Sequence, residues 1–225
     1  DAAEVPDMYL GGGLSFVDTA TGTKCWTMSS EKYIKSAVAN GEEKLARSNM
    51  RLPSKCVTPF IANYHPAEDT TPELDAEGTK YFQELIGVLQ WAIELGRVDI
   101  FLEVSLLSSH LALPRSGHLQ QLYHIFGYLK VSPRRRLYFD PDYPFISEDR
   151  FEKFDWYDFY KDAKEDIPVD MPEPLGKEVE IHCFVDANHA GNMANRRSHT
   201  GILVYVNNAP IIWYSKRQNT VESER

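Results

Sequence analysis

Three helical patterns follow one another in the middle of the chain, and they constrain its fold more than any other feature. The first covers residues 79–95 and stops at Gly96. The second follows Asp99 and ends at Pro114, and the third begins near Ser116. In each, apolar residues recur at the spacing that places them on one side of an α-helix. Because no single helix can bury such a stripe by itself, we expect the three helices to pack against one another.

The residues before these helices predict a β-hairpin, one further helix and a long irregular segment. Apolar residues in 8–28 flank a turn-rich cluster, Asp18–Gly22, which is typical of a hairpin. Ser29 is a suitable cap for the helix that follows, although Gly41 leaves the continuity of that helix open. Four prolines within 49–78 interrupt any regular structure there.

A proline-rich and acidic stretch follows the helical patterns. Residues 132–177 contain six prolines, and this composition indicates a tether between two domains. The apolar residues near Leu137–Phe139 leave room for a short strand within it.

The C-terminal part of the chain has the two-residue period of β-strands. From Val179 onward apolar residues alternate with polar or aromatic ones, and further strands are predicted at Gly201–Val206 and Pro210–Tyr214. Asn207 and Asn208 between them suit a two-residue hairpin turn, because Asn tolerates positive φ. Helices followed by an antiparallel sheet predict an α+β fold.

The composition is that of a folded protein without a membrane-spanning segment. With 225 residues, of which 43% are hydrophobic, the chain should fold, and no apolar run approaches the ~20 residues needed to span a bilayer. Three widely spaced cysteines favour a reducing compartment. The N-terminus has neither a signal-peptide pattern nor an initiator Met, which favours a fragment. A net charge of -9 argues against strong non-specific nucleic-acid binding by the isolated chain, although a local basic strip could still bind.

Three motifs follow one another in the C-terminal segment. They are an Asp-Ala-x-x-Ala-Gly turn at 186–191, an Arg-Arg-Ser-x-x-Gly segment at 196–201 and a strand ending Trp-x-Ser-Lys-x-Gln at 213–218. In this order and at this spacing they resemble the opening of the ribonuclease H domain of copia-type LTR-retrotransposon polyproteins. Asn188 stands where that family has a second Asp, which we interpret as variation and not as a lost metal ligand.

Motifs further upstream resemble the end of the reverse transcriptase in the same family. The sequence YFQELIGVLQW at 81–91 resembles its Tyr-x-x-x-Ile-Gly-x-Leu helix, and Arg97–Ile100 resembles its Arg-Pro-Asp-Ile motif. A Leu-Ser…Pro…His…Tyr-Leu-Lys run follows at 107–130. Met8–Gly11 resembles the primer-grip strand that follows the polymerase catalytic hairpin. The resemblance therefore covers nearly the whole chain and is weakest at 132–177.

The resemblance implies a chain in three parts. Residues 1–131 would be the C-terminal part of the reverse transcriptase, with a primer-grip hairpin and the thumb and connection helices. Residues 132–177 would be the tether, and residues 178–225 the truncated N-terminal part of a ribonuclease H-like antiparallel sheet. The intact parent would make DNA on an RNA template and cleave RNA in RNA–DNA hybrids with Mg²⁺. Its expected partners are a primer–template or hybrid and the rest of the polyprotein, with no membrane, in cytoplasmic virus-like particles or the nucleus.

One carboxylate, Asp186, corresponds to the first of the four that hold two metal ions in ribonuclease H. The polymerase Tyr-x-Asp-Asp motif does not occur in the chain, and the second ribonuclease H carboxylate would fall beyond Arg225. We therefore expect the chain to catalyse nothing alone and to bind no Mg²⁺ tightly. The resemblance also implies that nucleic acid contacts the following residues: Tyr9, Leu10, Gly11, Arg196, Arg197, Lys216 and Arg217.

These assignments have simpler alternatives. Asp186 could be an ordinary strand-end residue, and the basic residues could be solvated surface charges, as Arg134–Arg136 could be at the edge of the tether. Gly11–Gly13 lacks the Lys-Ser/Thr ending of a phosphate loop, and His118 and His124 have no metal-ligand spacing. A function of a different class is also open, namely a non-catalytic interaction module from a decayed or domesticated element.

Overall fold

Two antiparallel sheets and a group of packed helices make up the fold. The structure is a computed structural model, and it describes residues 5–146, 155, 157–163, 168–188 and 197–219. The architecture is therefore mixed, with helices and antiparallel sheets, as an α+β fold requires.

The first sheet has the strand order β1-β2-β3-β4. Its strands are β1 (Met8–Tyr9), β2 (Gly12–Asp18), β3 (Lys24–Ser29) and β4 (Arg136–Phe139). The predicted hairpin is confirmed as β2 and β3, in which Asp18 pairs with Lys24 across the turn. A second tight turn, at Leu10 and Gly11, was not predicted and adds β1. The short strand expected in 132–177 is present as β4, and it pairs with β3.

Four helices pack together, and the first of them contacts the first sheet whereas the third contacts the second sheet. They are α1 (Glu31–Arg47), α2 (Ala76–Glu94), α3 (Phe101–Ser108) and α4 (Ser116–Val131), with 3₁₀ turns at Pro66–Glu68 and Val98–Ile100 and a short helix α5 at Tyr157–Tyr160. The predicted cap at Ser29 is not the N-cap of α1: Ser30 occupies that position without a side-chain cap, and the Ser29 hydroxyl at the end of β3 accepts from the Glu31 N–H at 3.3 Å. Helix α1 continues through Gly41, which is buried. Helix α2 begins earlier than predicted because the Asp75 carboxylate accepts from the Gly78 N–H at 2.8 Å.

The apolar stripes of these helices form one core, as predicted. Phe82 and Leu89 of α2, Leu107 of α3, and Leu122 and Leu129 of α4 are all completely buried within it. The stripes predicted from the 3.6-residue period are therefore the surfaces that meet. Among the described residues, no helix has the length and hydrophobicity that crossing a bilayer requires.

The second sheet has the strand order β5-β6-β7. Its strands are β5 (Ile181–Asn188), β6 (His199–Val206) and β7 (Ala209–Arg217), all antiparallel. Strands β6 and β7 are longer than the apolar alternation predicted, because their pairing continues into the polar motif residues. Strand β5 begins at Ile181 and not at Val179 as predicted, and it continues to Asn188. The predicted two-residue turn is present, and Asn207 adopts φ 52° there.

Asn207 also joins the β6–β7 turn to two other parts of the chain. Its side-chain amide donates to the Pro141 carbonyl at 2.8 Å, and its side-chain oxygen accepts from the Glu180 N–H at 2.9 Å. The neighbouring Asn208 N–H donates to the Asp142 carbonyl at 3.2 Å. From the sequence, Asn207 was predicted only to be a turn residue, because Asn tolerates positive φ. In the fold it is buried, and its side chain fixes the turn against the segment that leaves β4.

Candidate nucleic-acid interface and metal-binding position

Asp186 lies near the end of β5, in register with Gly201 of β6, which is in turn in register with Ser215 of β7. Directly opposed residues in antiparallel strands project from the same face of the sheet. Asp186 therefore belongs to the face that carries Ser215 and, two residues earlier in β7, Trp213. Trp213 packs against the helical core.

The carboxylate of Asp186 is exposed, and one of its oxygens accepts from the Ala187 N–H at 2.8 Å. Within the described ranges, no group of three or more His, Cys, Asp or Glu residues is placed to hold a metal ion. A single carboxylate leaves most of the coordination shell of a divalent cation to water, which gives little gain over bulk solvent. The described residues therefore offer one ligand at this position and not a complete metal site.

The primer-grip candidates Tyr9, Leu10 and Gly11 lie at the β1–β2 turn. Leu10 has φ 49° and Gly11 has φ 93°, so both central residues of the turn have positive φ, as a type I′ hairpin turn requires. The Tyr9 and Leu10 side chains are 61% and 63% exposed. The turn thus presents two apolar side chains to solvent at the outer edge of the first sheet.

The basic candidates lie at the second sheet. Arg196 is outside the described residues, and Arg197 precedes the first residue of β6. Lys216 and Arg217 are consecutive in β7, so their side chains project from opposite faces. Arg217 lies opposite His199, on the face that carries Ser215, whereas Lys216 lies opposite Thr200 and is exposed. The structure therefore separates the two residues that sequence spacing grouped together.

The second sheet docks on helix α3 through polar contacts as well as through Trp213. The Ser105 hydroxyl donates to the Ser215 carbonyl at 2.9 Å. The same oxygen lies 3.3 Å from Nε2 of His199. Because the single Ser105 proton is directed to Ser215, Nε2 of His199 is the donor in the second contact. His199 lies inside the Arg-Arg-Ser segment, but its docking role could not be predicted without knowing that α3 faces this strand.

Arg97 and Asp99 form a buried ion pair that the sequence did not predict. Nε and Nη2 of Arg97 donate to the two Asp99 oxygens at 2.8 and 2.9 Å, and Arg97 is completely buried. The Tyr128 hydroxyl donates to Asp99 at 2.7 Å, and Nη2 of Arg97 also donates to the Ser132 hydroxyl at 3.2 Å. Burial acts to raise the pKa of Asp99, but the hydrogen bond and charge of Arg97, with the Tyr128 hydroxyl, hold it below its usual value. The Arg-x-Asp-Ile motif thus joins the end of α2 to α4.

The two histidines of α4 have structural contacts. Nδ1 of His118 accepts from the Arg115 N–H at 3.0 Å, so its Nε2 carries the proton that is donated to the Pro66 carbonyl at 2.9 Å. His124 lies between the Thr58 carbonyl, 3.0 Å away, and the Cys56 thiol, 3.6 Å away. Both histidines hold the segment 49–78 against α4, in agreement with the packing interpretation.

The segment 132–146 also contacts the first sheet. The Asp142 carboxylate accepts hydrogen bonds from the hydroxyls of Thr19, Thr21 and Thr23 in the β2–β3 turn, at 3.2 Å from Thr19 and 2.9 Å from Thr23. These hydrogen bonds hold the pKa of Asp142 below its usual value. The β2–β3 turn is therefore fixed to the same short segment that contacts Asn208 of the second sheet.

Three curated proteins are similar to this chain along most of its length. The retrovirus-related Pol polyprotein from transposon RE1 of Arabidopsis thaliana is 26% identical over 183 residues, which is 79% of this chain and 10% of that protein. The corresponding polyprotein from transposon RE2 of the same plant is 24% identical over the same shares of both chains. The polyprotein from transposon TNT 1-94 of Nicotiana tabacum is 25% identical over 213 residues, 93% of this chain and 13% of that protein.

No protein-family model matches the chain, and no solved structure matches it. The chain spans about a tenth of the length of the curated relatives that it matches. Similarity to three such polyproteins, over most of this sequence, supports its interpretation as a piece of a retrotransposon polyprotein.

Proposed function

We propose that the chain is the part of a copia-type polyprotein that runs from the end of the reverse transcriptase into the ribonuclease H domain. In the intact parent it would serve RNA-directed DNA synthesis and cleavage of RNA–DNA hybrids. The observation that carries the proposal is the position of Asp186. It lies on the first strand of a three-stranded antiparallel sheet, beside the two strands that contain the other family motifs.

The N-terminal sheet and the helices would grip the primer–template. The exposed β1–β2 turn, with Tyr9, Leu10 and Gly11, is the proposed contact, since apolar side chains can pack against sugars and bases without sequence preference. The isolated chain should nevertheless bind duplex weakly, because its net charge is -9. Any binding should fall steeply as salt rises, because it would depend on phosphate contacts.

Asp186 would supply one ligand to Mg²⁺ in the longer polyprotein. Bound Mg²⁺ would activate the attacking water and stabilise the leaving oxygen. The single carboxylate among the described residues does not complete such a site, so we propose that this chain alone neither holds Mg²⁺ tightly nor cleaves hybrids. It should also lack polymerase activity, since no Tyr-x-Asp-Asp motif occurs in it.

The test compares this chain with a longer protein that includes the downstream part of the polyprotein. Primer extension and hybrid cleavage by the chain alone should not exceed a buffer control in Mg²⁺ or Mn²⁺. The longer protein should cleave hybrids, and Asp186→Asn should abolish cleavage while its circular dichroism spectrum is unchanged. The control is Asp162→Asn, which makes the same change at an exposed residue after α5 and should leave cleavage unchanged. Equal cleavage by the Asp186→Asn and unsubstituted proteins would exclude the proposed role.

A second candidate is a non-catalytic interaction module from a domesticated element. It is favoured by the exposed apolar residues of the second sheet, which include Ile181, Val185 and Ile212. The coding sequence on either side separates the two candidates. Polymerase and ribonuclease H carboxylates encoded in frame there support the enzyme fragment, and an independent promoter without them supports the module.

A further inference from the structure

A cavity lies where the segment 60–67, helix α3 and the second sheet meet. Its volume is about 250 Å³. The described residues that line it are Phe60, Tyr64, His65, Pro66, Ala67, Leu106, Ser109, His110, His199 and Arg217. Because these residues come from three separate parts of the chain, the cavity exists only when the second sheet is docked on α3.

The polar lining of this cavity is basic, although the chain as a whole is acidic. Arg217 and His199 are in register on neighbouring strands, and His110 reaches the cavity from the end of α3. None of the described lining residues is an Asp or Glu, and no carboxylate of the described residues pairs with Arg217. In a protein of net charge -9, a cavity with a guanidinium and three imidazoles and no acid is a local reversal of charge.

Two of the histidines that line the cavity, His110 and His199, have pKa values below that of a free histidine. Burial, His118 and Arg217 together lower the pKa of His110 to about 4, while Asp69 acts in the opposite direction. Burial and Arg217 lower the pKa of His199. Both rings are therefore neutral near pH 7. An anion beside Arg217 would offset the charge of that guanidinium and favour protonation of both rings.

We propose that this cavity binds a phosphate-class oxyanion through Arg217 and His110, beside the ring of His199, whose Nε2 donates to Ser105. Because no carboxylate of the described residues pairs with Arg217, its guanidinium can donate two parallel hydrogen bonds to such a group. A water molecule takes about 30 Å³ of liquid, so the cavity has room for roughly eight waters, or for one phosphate with part of a nucleoside. The site needs neither Asp186 nor a metal, so it can fail without the proposed function failing; it rests on that function only where the ligand is a nucleic-acid strand. Its ligand is either a free nucleotide phosphate or a phosphate of a nucleic-acid strand.

The test measures sulfate and phosphate binding by the full chain at constant ionic strength, with chloride as the reference salt. Histidine ring resonances in NMR spectra should shift at His110 and His199 and not at His124, which lies elsewhere on α4. Arg217→Gln should weaken sulfate binding about tenfold or more, because it removes a charge-assisted pair. Arg47→Gln is the matched control, since it removes the same guanidinium charge from the exposed end of α1 and should leave binding unchanged.

The pH dependence gives a second measurement that needs no substitution. Sulfate remains a dianion between pH 5 and 7, so any change in its affinity comes from the protein. The groups that face the site are His110, His199, Arg217, His65 and Tyr64, and behind them lie His118 and Asp69. Because the bound anion favours protonated histidine, affinity should rise as the pH falls from 7 to 5. Histidine resonances that do not respond to sulfate at either pH would overturn the proposal.

Displacement of sulfate by two competing ligands shows whether the bound phosphate belongs to a free nucleotide or to a nucleic-acid strand. A nucleoside monophosphate should displace sulfate if the site takes a terminal phosphate. A short single-stranded oligonucleotide without terminal phosphates should displace it if the site takes a strand. Displacement by either one supports the proposal and identifies the source. If Arg217→Gln and Arg47→Gln weaken sulfate binding equally, the binding is non-specific and the proposal fails.

Discussion

The helical core and the second sheet bury their apolar residues to different extents. The apolar residues of α2, α3 and α4 meet in one core, where Leu122 is completely buried. On the face that docks on α3, the second sheet buries His199 and partly buries Trp213. On its other face, Val185 and Ile212 are 65% and 52% exposed.

This difference follows from the two periodicities. A helix with one apolar stripe needs one partner surface, and each helix here finds it in the other helices. The strands of the second sheet carry apolar residues on both faces. Each face therefore needs its own partner surface. The described residues provide the second sheet with only one. The helical core should therefore be stable without the second sheet, whereas the second sheet should depend on its docking on α3.

The largest expected effect lies at the buried Arg97–Asp99 pair of the helical region. Asp99→Asn should lower the free energy of unfolding by about 3–5 kcal/mol, because it leaves a buried guanidinium without its carboxylate. Glu43→Gln is the matched control, since Glu43 pairs with Arg47 on the exposed side of α1. Its effect in urea denaturation should be close to zero. Equal effects of the two substitutions would show that the ion pair contributes no more than an exposed pair.

The same ion pair should give the helical region a pH signature. The pKa of Asp99 lies below its unfolded value of about 3.9, so the stabilisation is fully present above that pH. It is lost as the pH falls through the lower pKa of the folded protein. The difference in stability between unsubstituted protein and Asp99→Asn should therefore be larger at pH 7 than at pH 2.5. Urea denaturation at both pH values measures it, and a constant difference would contradict the lowered pKa.

The core and the exposed sheet face can be compared by truncating one aliphatic residue in each. Leu122→Ala or Leu85→Ala should cost about 2–5 kcal/mol, as expected for buried large-to-small changes. Ile212→Ala on the exposed face of β7 should cost less than about 1 kcal/mol. Chemical denaturation followed by circular dichroism measures all three. Costs below ~1 kcal/mol at both leucines would exclude the helical core.

The docking of the second sheet should depend on Trp213. Trp213→Ala should cost about 1–3 kcal/mol, less than for a completely buried Trp, because Trp213 is only partly buried. The loss should be confined to β5–β7, which would exchange amide hydrogens faster while α2 and α4 stay protected. Tyr214→Ala, which changes the opposite face, is the control and should leave docking intact. Equal loss of protection in α4 would show that the two regions unfold together.

The smallest effect on stability is expected at the exposed face, where the consequence should be a change in association. Ile212→Lys should change the free energy of unfolding by less than about 1 kcal/mol. It should reduce concentration-dependent self-association, because a charge interrupts the apolar face. Gln90→Lys adds the same charge on the exposed side of α2 and should not reduce association. Sedimentation at several concentrations measures the association of the unsubstituted protein and of both variants. Equal association of all three would show that the exposed face of the second sheet does not mediate it.

Much of the fold could be predicted from local pattern. Apolar spacing predicted α2, α3 and α4, although α3 ends at Ser108 and not at Pro114 as predicted. Asn207 marked the β6–β7 turn through its tolerance of positive φ. The tight turn at Leu10 and Gly11 was missed, because Leu is not a residue that usually adopts positive φ. The course of residues 140–142 along the first sheet was missed as well, since its hydrogen bonds join residues more than a hundred positions apart.

The candidate site was less predictable than the fold. Motif spacing identified Asp186, Lys216 and Arg217, but it could not tell which of them share a face with a distant helix. The structure places Arg217 beside His110, a residue for which no motif predicted a role.

The sequence by itself determined the hairpin of β2 and β3, the three central helices and the strands of the second sheet, because those preferences depend on residues a few positions apart. It also determined the order of the motifs that relate the chain to retrotransposon polyproteins. Only the tertiary structure decided what each surface meets. The docking of β7 on α3, the buried Arg97–Asp99 pair and the basic cavity at Arg217 all join residues that are distant in sequence or hidden by packing. Their energies depend on distance and desolvation in three dimensions, which the order of residues does not specify.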